Sequence, residues 1–224
     1  MRKFMLFLLL LPILFACSKE GSKIERYTVY DKVIDHSKPL AMGDDRDVYV
    51  FCDSIDWQGL KPFIGSAIEQ QINIVYPEQY FNLVLADIKD VKRLSKFKNL
   101  VYIGNLESDL PVSIYMKSVL NQDFIKRVQQ TGGELFTSEN LNCCDQIVLF
   151  LFGKDAKSLQ KIGALQAENI FSLLLKRFTN RQGYYAYQGK VIDPSFFDNY
   201  PFSLKIPDTY RLYSNDKVGR FLCF

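Results

Sequence analysis

Hydrophobic residues along the chain follow two patterns, continuous runs and stripes with helical spacing. Continuous runs lie at 48–52, 99–104 and 146–153. Runs of this kind predict strands that other elements cover on both faces. Stripes with helical spacing predict helices that begin near Trp57, Pro111 and Asp155. Because strands alternate with helices, the pattern predicts an α/β or α+β fold with a central mixed sheet and helices packed on it.

Shorter patterns predict the remaining elements. Single strands are expected at 26–33, 72–76, 81–86 and 202–206, and a hairpin at 210–213 and 220–224. A short helix is predicted over 87–97. The helix near Pro111 is predicted to break near Asn121 and to end at Gly132 and Gly133, because glycine commonly follows the last helical residue.

The beginning of the chain has the features of a bacterial lipoprotein signal. Arg2 and Lys3 precede an apolar run at 4–15, which is shorter than the roughly 20 residues that a membrane-spanning helix needs. The run ends in Leu-Phe-Ala-Cys at 14–17, which resembles the lipobox, in which the cysteine is acylated and the preceding peptide removed. We therefore expect a signal peptide at 1–16 and a lipid anchor, such as palmitate, on Cys17.

The same features predict a location. Acyl chains on Cys17 would hold the protein on a membrane of the cell envelope. Ser18 follows the cysteine, where an aspartate would, by resemblance, signal retention in the inner membrane. We therefore expect an outer-membrane lipoprotein.

Changes in amino-acid composition and hydrophobic pattern divide the mature chain into three parts. Residues 17–45 are polar and predict a tether from the lipidated cysteine, whereas 46–182 contain the regular α/β pattern. Residues 183–224 form an aromatic-rich β segment with scattered glycine and proline. An apolar run reaches Phe224, so this segment is either complete or the start of a truncated second module.

Composition excludes several classes of function. Hydrophobic residues make up 48% and charged residues 24% of the chain, as in folded globular proteins. A net charge of +3 is too small to indicate the concentrated basic face that nucleic-acid-binding proteins usually have, so we expect no nucleic-acid partner. His36 is the only histidine, which excludes most zinc sites and Ser-His-Asp triads. No glycine-rich phosphate loop is present, and we expect no cofactor.

Four cysteines remain beyond the lipidation site: Cys52, Cys143, Cys144 and Cys223. An even number outside the cytoplasm permits two disulfides, with three possible connectivities. The favoured alternative is that these thiols are free and buried, where cysteine behaves as a small hydrophobic residue.

Two groups of residues are candidates for a ligand site. Asp53 and Asp56 follow the first predicted strand, at the edge where open α/β sheets bind ligands, and could hold a divalent cation or act as acid and base. The favoured interpretation is that one of them caps the helix at Trp57 while the other is solvated. Tyr184, Tyr185 and Tyr187 could form a stacking platform for sugars or peptides, but their spacing favours strand residues that pack in a core.

Several short motifs resemble a family of uncharacterised lipoproteins of Gram-negative envelopes, classed as a domain of unknown function. These motifs are Cys17, the segment from Val48 to Trp57, Pro77-Glu78 with Phe81, Asn99-Leu100-Val101, and Ile206-Pro207 with Tyr210. They cover most of the mature chain, and similar proteins continue past the point that matches Phe224. The family has no assigned reaction, so the resemblance implies an envelope location and no catalytic residues.

These observations predict a non-enzymatic, lipid-anchored envelope protein whose α/β domain binds a partner protein or a cell-wall component such as a glycan. The alternative is a metal-assisted hydrolase that uses Asp53 and Asp56.

Overall fold

The centre of the fold is a five-stranded sheet with strand order β4-β1-β5-β7-β6. The computed structural model describes residues 27–73, 75–216, 218–219 and 221–224, and the predicted lipoprotein signal lies outside them. The central strands are β1 (Asp47–Cys52), β4 (Asn82–Ala86), β5 (Asn99–Asn105), β6 (Gly133–Glu139) and β7 (Ile147–Gly153). Neighbouring strands pair in parallel except for β6, which pairs with β7 antiparallel. The predicted mixed sheet is confirmed.

A small hairpin precedes β4 along the chain. It consists of β2 (Gln71–Asn73) and β3 (Pro77–Gln79), which pair antiparallel. The residues between them include Val75 and Tyr76, whose side chains are exposed. The strand predicted at 72–76 is therefore confirmed only at Ile72 and Asn73, because the chain reverses direction before Pro77.

The described residues include six α-helices. They are α1 (Ser54–Leu60), α2 (Ser66–Ile68), α3 (Val91–Leu94), α4 (Pro111–Val119), α5 (Gln122–Thr131) and α6 (Ala156–Ala186), with a π-helical turn at Lys61–Gly65 between α1 and α2. The predicted break near Asn121 is confirmed, since its side chain accepts a hydrogen bond from Phe124 N at 2.9 Å and caps α5. Gly132 ends α5 with a φ of 84°, a conformation that favours glycine.

Each face of the sheet packs against its own set of helices. Val101 and Ile103 of β5 join a core that includes residues of α1 and α6, whereas Leu100 and Tyr102 join a second core with residues of α3, α4 and α5. Successive strand residues point to opposite faces, so a strand covered on both faces is apolar at nearly every position. Every residue of β5 and β7 is buried, as their continuous hydrophobic runs predict.

The described residues form two compact units, one of residues 29–185 and one of 186–224 together with Tyr27 and Thr28. The first unit begins well before the predicted boundary at residue 46. Thr28–Val33 is a 3-10 helix, so the strand predicted at 26–33 is wrong. Val33 and Ile34 are buried with Cys144 and Tyr184, and residues 29–45 therefore belong to the α/β unit rather than to the tether.

The second unit has little regular structure. It contains a 3-10 helix, Pro194–Phe197, and a hairpin of β8 (Ser214–Asp216) and β9 (Phe221–Cys223). Residues 202–206 form no strand. The first strand of the hairpin follows the predicted segment 210–213, and the second lies within the predicted segment 220–224. The rings of Phe196, Phe197, Tyr200, Phe202 and Phe224 cluster instead, because a unit this short has few other apolar groups to bury.

All four cysteines of the described residues have free thiols. Cys143 and Cys144 are buried, as expected, and Cys52 is partly buried. Cys223 is exposed, which corrects the expectation of a buried thiol, because β9 belongs to a two-stranded hairpin with no second layer over that residue.

Candidate functional site

The carboxyl ends of β1 and β5 bring four polar side chains together. Asp53 follows β1, Asp56 lies in the first turn of α1, Asn105 ends β5 and Ser113 lies in α4. Because β1 and β5 are parallel neighbours, their carboxyl ends meet at the same edge of the sheet. This is the edge where open α/β sheets bind their ligands.

Asp53 caps a helix that is distant in sequence. It occupies the N-cap position of α1, but its side chain makes no capping hydrogen bond there. Instead, its carboxylate accepts hydrogen bonds from Val112 N at 3.3 Å and Ser113 N at 3.4 Å, in the first turn of α4. The N-cap residue of α4 is Leu110, which has no side-chain acceptor, so Asp53 supplies both the missing cap and a negative charge at the positive end of the helix dipole.

Asp56 is buried beside Asp53, with only 8% of its surface exposed. The side-chain amide of Asn105 donates to its two carboxylate oxygens at 3.2 and 3.4 Å. Burial raises the pKa of Asp56 and the charge of Asp53 raises it further, while the hydrogen bond from Asn105 lowers it. The expectation that one aspartate caps the helix at Trp57 and the other is solvated is therefore wrong on both counts.

Asn105 and Ser113 connect β5 to α4. The Ser113 hydroxyl accepts a hydrogen bond from Asn105 N at 3.1 Å, and both residues are buried. A Cβ atom on Gly104 would lie 2.7 Å from Ser113 Oγ, so the close approach of α4 to β5 requires glycine. The sequence analysis identifies neither Asn105 nor Ser113 as a site residue. Asn105 directly follows the hydrophobic run at 99–104, and this position could have marked it as a candidate.

The arrangement leaves few groups free for chemistry. Amide groups of the protein donate hydrogen bonds to both carboxylates. In the described part of the chain, no group of three or more His, Cys, Asp or Glu side chains could hold a metal ion. A pair of neighbouring carboxyl groups, one with a raised pKa, can still exchange a proton. Metal binding by Asp53 and Asp56 would need ligands from outside this set.

The three tyrosines do not share one kind of environment. Tyr184 and Tyr185 lie in the last turns of α6, so the strand predicted from their spacing is wrong. Tyr184 is buried and its ring packs 5.3 Å from that of Tyr185, which is 43% exposed. The Tyr187 hydroxyl, in the second unit, donates to Lys205 O at 2.8 Å. Because the Tyr184 ring is covered, it cannot serve as the exposed stacking surface that the sequence raised as one possibility.

The fold and this edge define a three-layer α/β protein with a mixed sheet and an internally bonded carboxylate pair. Comparison with protein-family models, with curated proteins and with solved structures gives no match for this chain. No helix among the described residues combines the length and hydrophobicity that crossing a membrane requires.

Proposed function

We propose that this chain is a lipid-anchored protein of the cell envelope, on the outer membrane, and that its α/β domain binds a partner protein or a cell-wall component without catalysing a reaction. The lipobox-like sequence that ends at Cys17 and the resemblance to envelope lipoproteins support the anchor. The near absence of histidine and the lack of a phosphate loop support a binding role.

One observation carries the choice of binding over catalysis. The carboxylate of Asp53 is occupied by two backbone amides of α4, at 3.3 and 3.4 Å. A carboxylate used in this way stabilises a helix, and a metal ion or substrate that took it over would have to break the cap. Asp56 is likewise bonded to Asn105, so the edge where ligands usually bind is closed by internal contacts.

The second candidate is the metal-assisted hydrolase that uses Asp53 and Asp56. It is favoured by the raised pKa of Asp56, which sits beside a second carboxylate as an acid sits beside a base in several hydrolases. The two candidates differ in whether a divalent cation binds this edge.

Acylation is tested with the full chain, expressed in a Gram-negative host and labelled with an alkyne analogue of palmitate. We expect the wild type to carry the label and to sediment with outer membranes. Cys17→Ser should lose both properties, whereas Cys223→Ser, which removes an exposed thiol, should keep them. Label on the Cys17→Ser chain, or none on the wild type, contradicts the proposed anchor.

Metal binding is tested by calorimetric titration of Mn²⁺, Zn²⁺ and Ca²⁺ into the chain from Ser18 onward. We expect no saturable binding. The matched pair of variants is Asp53→Asn/Asp56→Asn and Asp87→Asn/Asp90→Asn, since Asp87 and Asp90 have the same spacing and exposed side chains. Binding that disappears only in the first variant would place a cation at Asp53 and Asp56, contradict the proposed lack of a metal site and favour the metal-assisted alternative.

Partners are tested by thermal unfolding of the same chain with muropeptides and neutral glycans. A ligand at 100 times its dissociation constant stabilises a protein by about 2.7 kcal/mol, which raises the midpoint by about 5–10 °C for a chain of this size. A shift of that size identifies a cell-wall component. A transition that none of these ligands moves directs the search to a protein partner, captured by cross-linking in intact envelopes.

A further inference from the structure

A cavity of about 420 Å³ lies between the sheet and the pair of helices α4 and α5. Its floor belongs to a row of aromatic residues, one on each of four adjacent strands. Phe51, Tyr102, Phe150 and Phe136 are paired in register across β1, β5, β7 and β6, and all but Phe51 line the cavity. We refer to this space as the aromatic cavity.

Three of the four rings in this row, those of Phe51, Tyr102 and Phe150, are stacked. The centroids of Phe51 and Tyr102 are 4.7 Å apart with planes at 5°, and those of Tyr102 and Phe150 are 5.2 Å apart with planes at 14°. These separations are close to the distance between neighbouring strands, so the sheet itself holds the rings face to face. Rings stacked along the row present their edges to the cavity, and ring edges are electropositive, which favours the π face of an aromatic ligand.

The walls come from the helices and are also aromatic. The Tyr115 ring of α4 lies 5.5 Å from that of Tyr102, and the Phe124 ring of α5 lies 4.2 Å from that of Phe136. At the mouth, Val119 and Leu141 are 47% and 45% exposed. The cavity therefore has an aromatic floor, aromatic walls and an opening to solvent, and its volume is within the size range of small-molecule sites.

No charged side chain lines the aromatic cavity. Burial and the neighbouring Tyr115 raise the pKa of Tyr102, which keeps its hydroxyl neutral. Arg127 stacks on the Phe124 ring but is paired with Glu134 at 3.2 Å and does not line the cavity. A charged ligand would lose its hydration here without gaining a partner of opposite charge, so the lining selects against it.

Ser138 supplies the cavity with a polar group. It lies on the same face of β6 as Phe136, and its hydroxyl has no hydrogen-bond partner among the described residues. Two asparagines of the lining each use one amide atom within the protein, since Asn121 Oδ1 caps α5 and Asn142 Nδ2 donates to Ser95 O at 3.2 Å. Ser138 can therefore donate to or accept from a ligand.

We propose that the aromatic cavity binds a small uncharged molecule with a planar aromatic ring system and one hydrogen-bonding group near Ser138. This inference goes beyond the proposed function and is independent of it, because none of the residues used here belongs to the edge that contains Asp53 and Asp56. The floor determines the aromatic character of the ligand, and the uncharged lining determines its neutrality.

The probe is N-phenyl-1-naphthylamine, an uncharged dye with one N–H donor, titrated into the chain from Ser18 onward and followed by fluorescence. That chain contains every described residue of both units. The matched probe is 8-anilinonaphthalene-1-sulfonate, which has the same rings and an added negative charge. We expect saturable binding of the neutral dye at one site, with at least tenfold weaker binding of the sulfonate. No saturable binding, or equal affinity for the two dyes, overturns the proposal.

A matched pair of variants locates the site. Val119 and Ile114 both lie on α4 and are 47% and 51% exposed, but only Val119 lines the cavity. We expect Val119→Trp to fill the mouth and raise the dissociation constant of the neutral dye at least tenfold, and Ile114→Trp to leave it within twofold. Far-ultraviolet circular dichroism checks that both variants fold, which their exposed positions favour. Equal effects of the two variants place the dye elsewhere and overturn the proposal.

Discussion

Arg181 Nε donates a hydrogen bond to Asp145 Oδ1 across 2.6 Å, and neither side chain is exposed to solvent. A second guanidinium nitrogen of Arg181 donates to Asp145 O at 3.0 Å and to Asn99 Oδ1 at 3.3 Å. Asp145 precedes β7 and Asn99 begins β5, so this one arginine ties α6 to the amino ends of two central strands. This pair lies at the amino ends of the central strands, whereas Asp53 and Asp56 lie at the carboxyl ends.

Arg181→Met should lower the free energy of unfolding by about 3–5 kcal/mol, because it leaves the Asp145 carboxylate buried without a partner. Urea denaturation of the chain from Ser18 onward measures the loss. Arg93→Met removes an exposed pair with Asp90 and should change stability by less than about 1 kcal/mol.

A double variant separates the burial of a charge from lost packing. Arg181→Met combined with Asp145→Asn should recover part of the loss, since asparagine carries no charge and tolerates the positive φ of 64° at this position. If the single variant loses less than about 1 kcal/mol, the pair does not tie α6 to the sheet as the geometry indicates.

Asp56 should make stability depend on pH. Its pKa is raised in the folded protein by burial and by Asp53, so its stabilising contribution is complete below the unfolded pKa and is lost as pH rises through the folded pKa. Asp56→Asn keeps an oxygen that accepts from Asn105 and removes the charge. We expect this variant to be at least as stable as the wild type at pH 7.5, with the difference between them disappearing toward pH 3.

The measurement is urea denaturation at a series of pH values between 3 and 8, and Asp109→Asn, an exposed substitution, is the control. A wild-type chain that is more stable than Asp56→Asn at pH 7.5 would show that Asp56 is stabilised as a carboxylate, opposite to the direction argued from its burial.

Gly153 should not tolerate a side chain. A Cβ atom at this position would lie 2.7 Å from the backbone N and Cα of Leu159 in α6, and backbone atoms cannot move aside without displacing the helix. Gly153→Ala should therefore lower the free energy of unfolding by about 1–3 kcal/mol, as overpacking does elsewhere.

Gly65→Ala is the matched control for this prediction. Its Cβ would meet neighbours at 3.4–3.8 Å, which is ordinary contact, and it lies in a helical segment. We expect no loss, or a gain of up to about 1 kcal/mol from reduced backbone freedom in the unfolded chain. Equal losses at the two glycines would mean that Leu159 is not the cause.

The thiols should differ in reactivity in the order of their exposure. Burial raises the pKa of the Cys52 and Cys143 thiols, which keeps them protonated at neutral pH, whereas Cys223 is exposed. In the chain from Ser18 onward at pH 7.5, we expect iodoacetamide to modify Cys223 first, and the other three thiols only after denaturation. Peptide mass mapping identifies the sites, and Cys223→Ser should remove the fast reaction. Rapid modification of Cys143 or Cys144 would contradict their burial.

Sequence patterns predicted the elements whose own residues already show how they are buried or capped in the structure. The hydrophobic runs of β5 and β7 are continuous because both faces of these strands are covered, and that requirement is visible in the residues themselves. The break between α4 and α5 was predictable as well, because Asn121 carries the local capping chemistry.

Other elements depend on their partners. β6 was not predicted, since Gly-Glu-Leu-Phe-Thr-Ser-Glu has neither a hydrophobic run nor a helical stripe, and its pairing with β7 makes it a strand. The spacing of Tyr184, Tyr185 and Tyr187 favoured a strand, but α6 continues through Tyr184 and Tyr185, and the Tyr184 side chain is buried with Val33, Ile34 and Cys144. A short pattern cannot outweigh tertiary contacts of that extent.

The amino-acid order was sufficient for the fold class, the buried strands and the expectation of a lipid anchor at Cys17, because each rests on residues that are neighbours along the chain. The roles of Asp53 and Asp56, the aromatic row and the cavity above it depend on residues far apart in sequence, such as Asp53 with Val112 and Tyr102 with Phe150. Folding brings these residues together through the register of parallel strands. That register depends on the packing of the whole sheet, so no single segment of the sequence determines it.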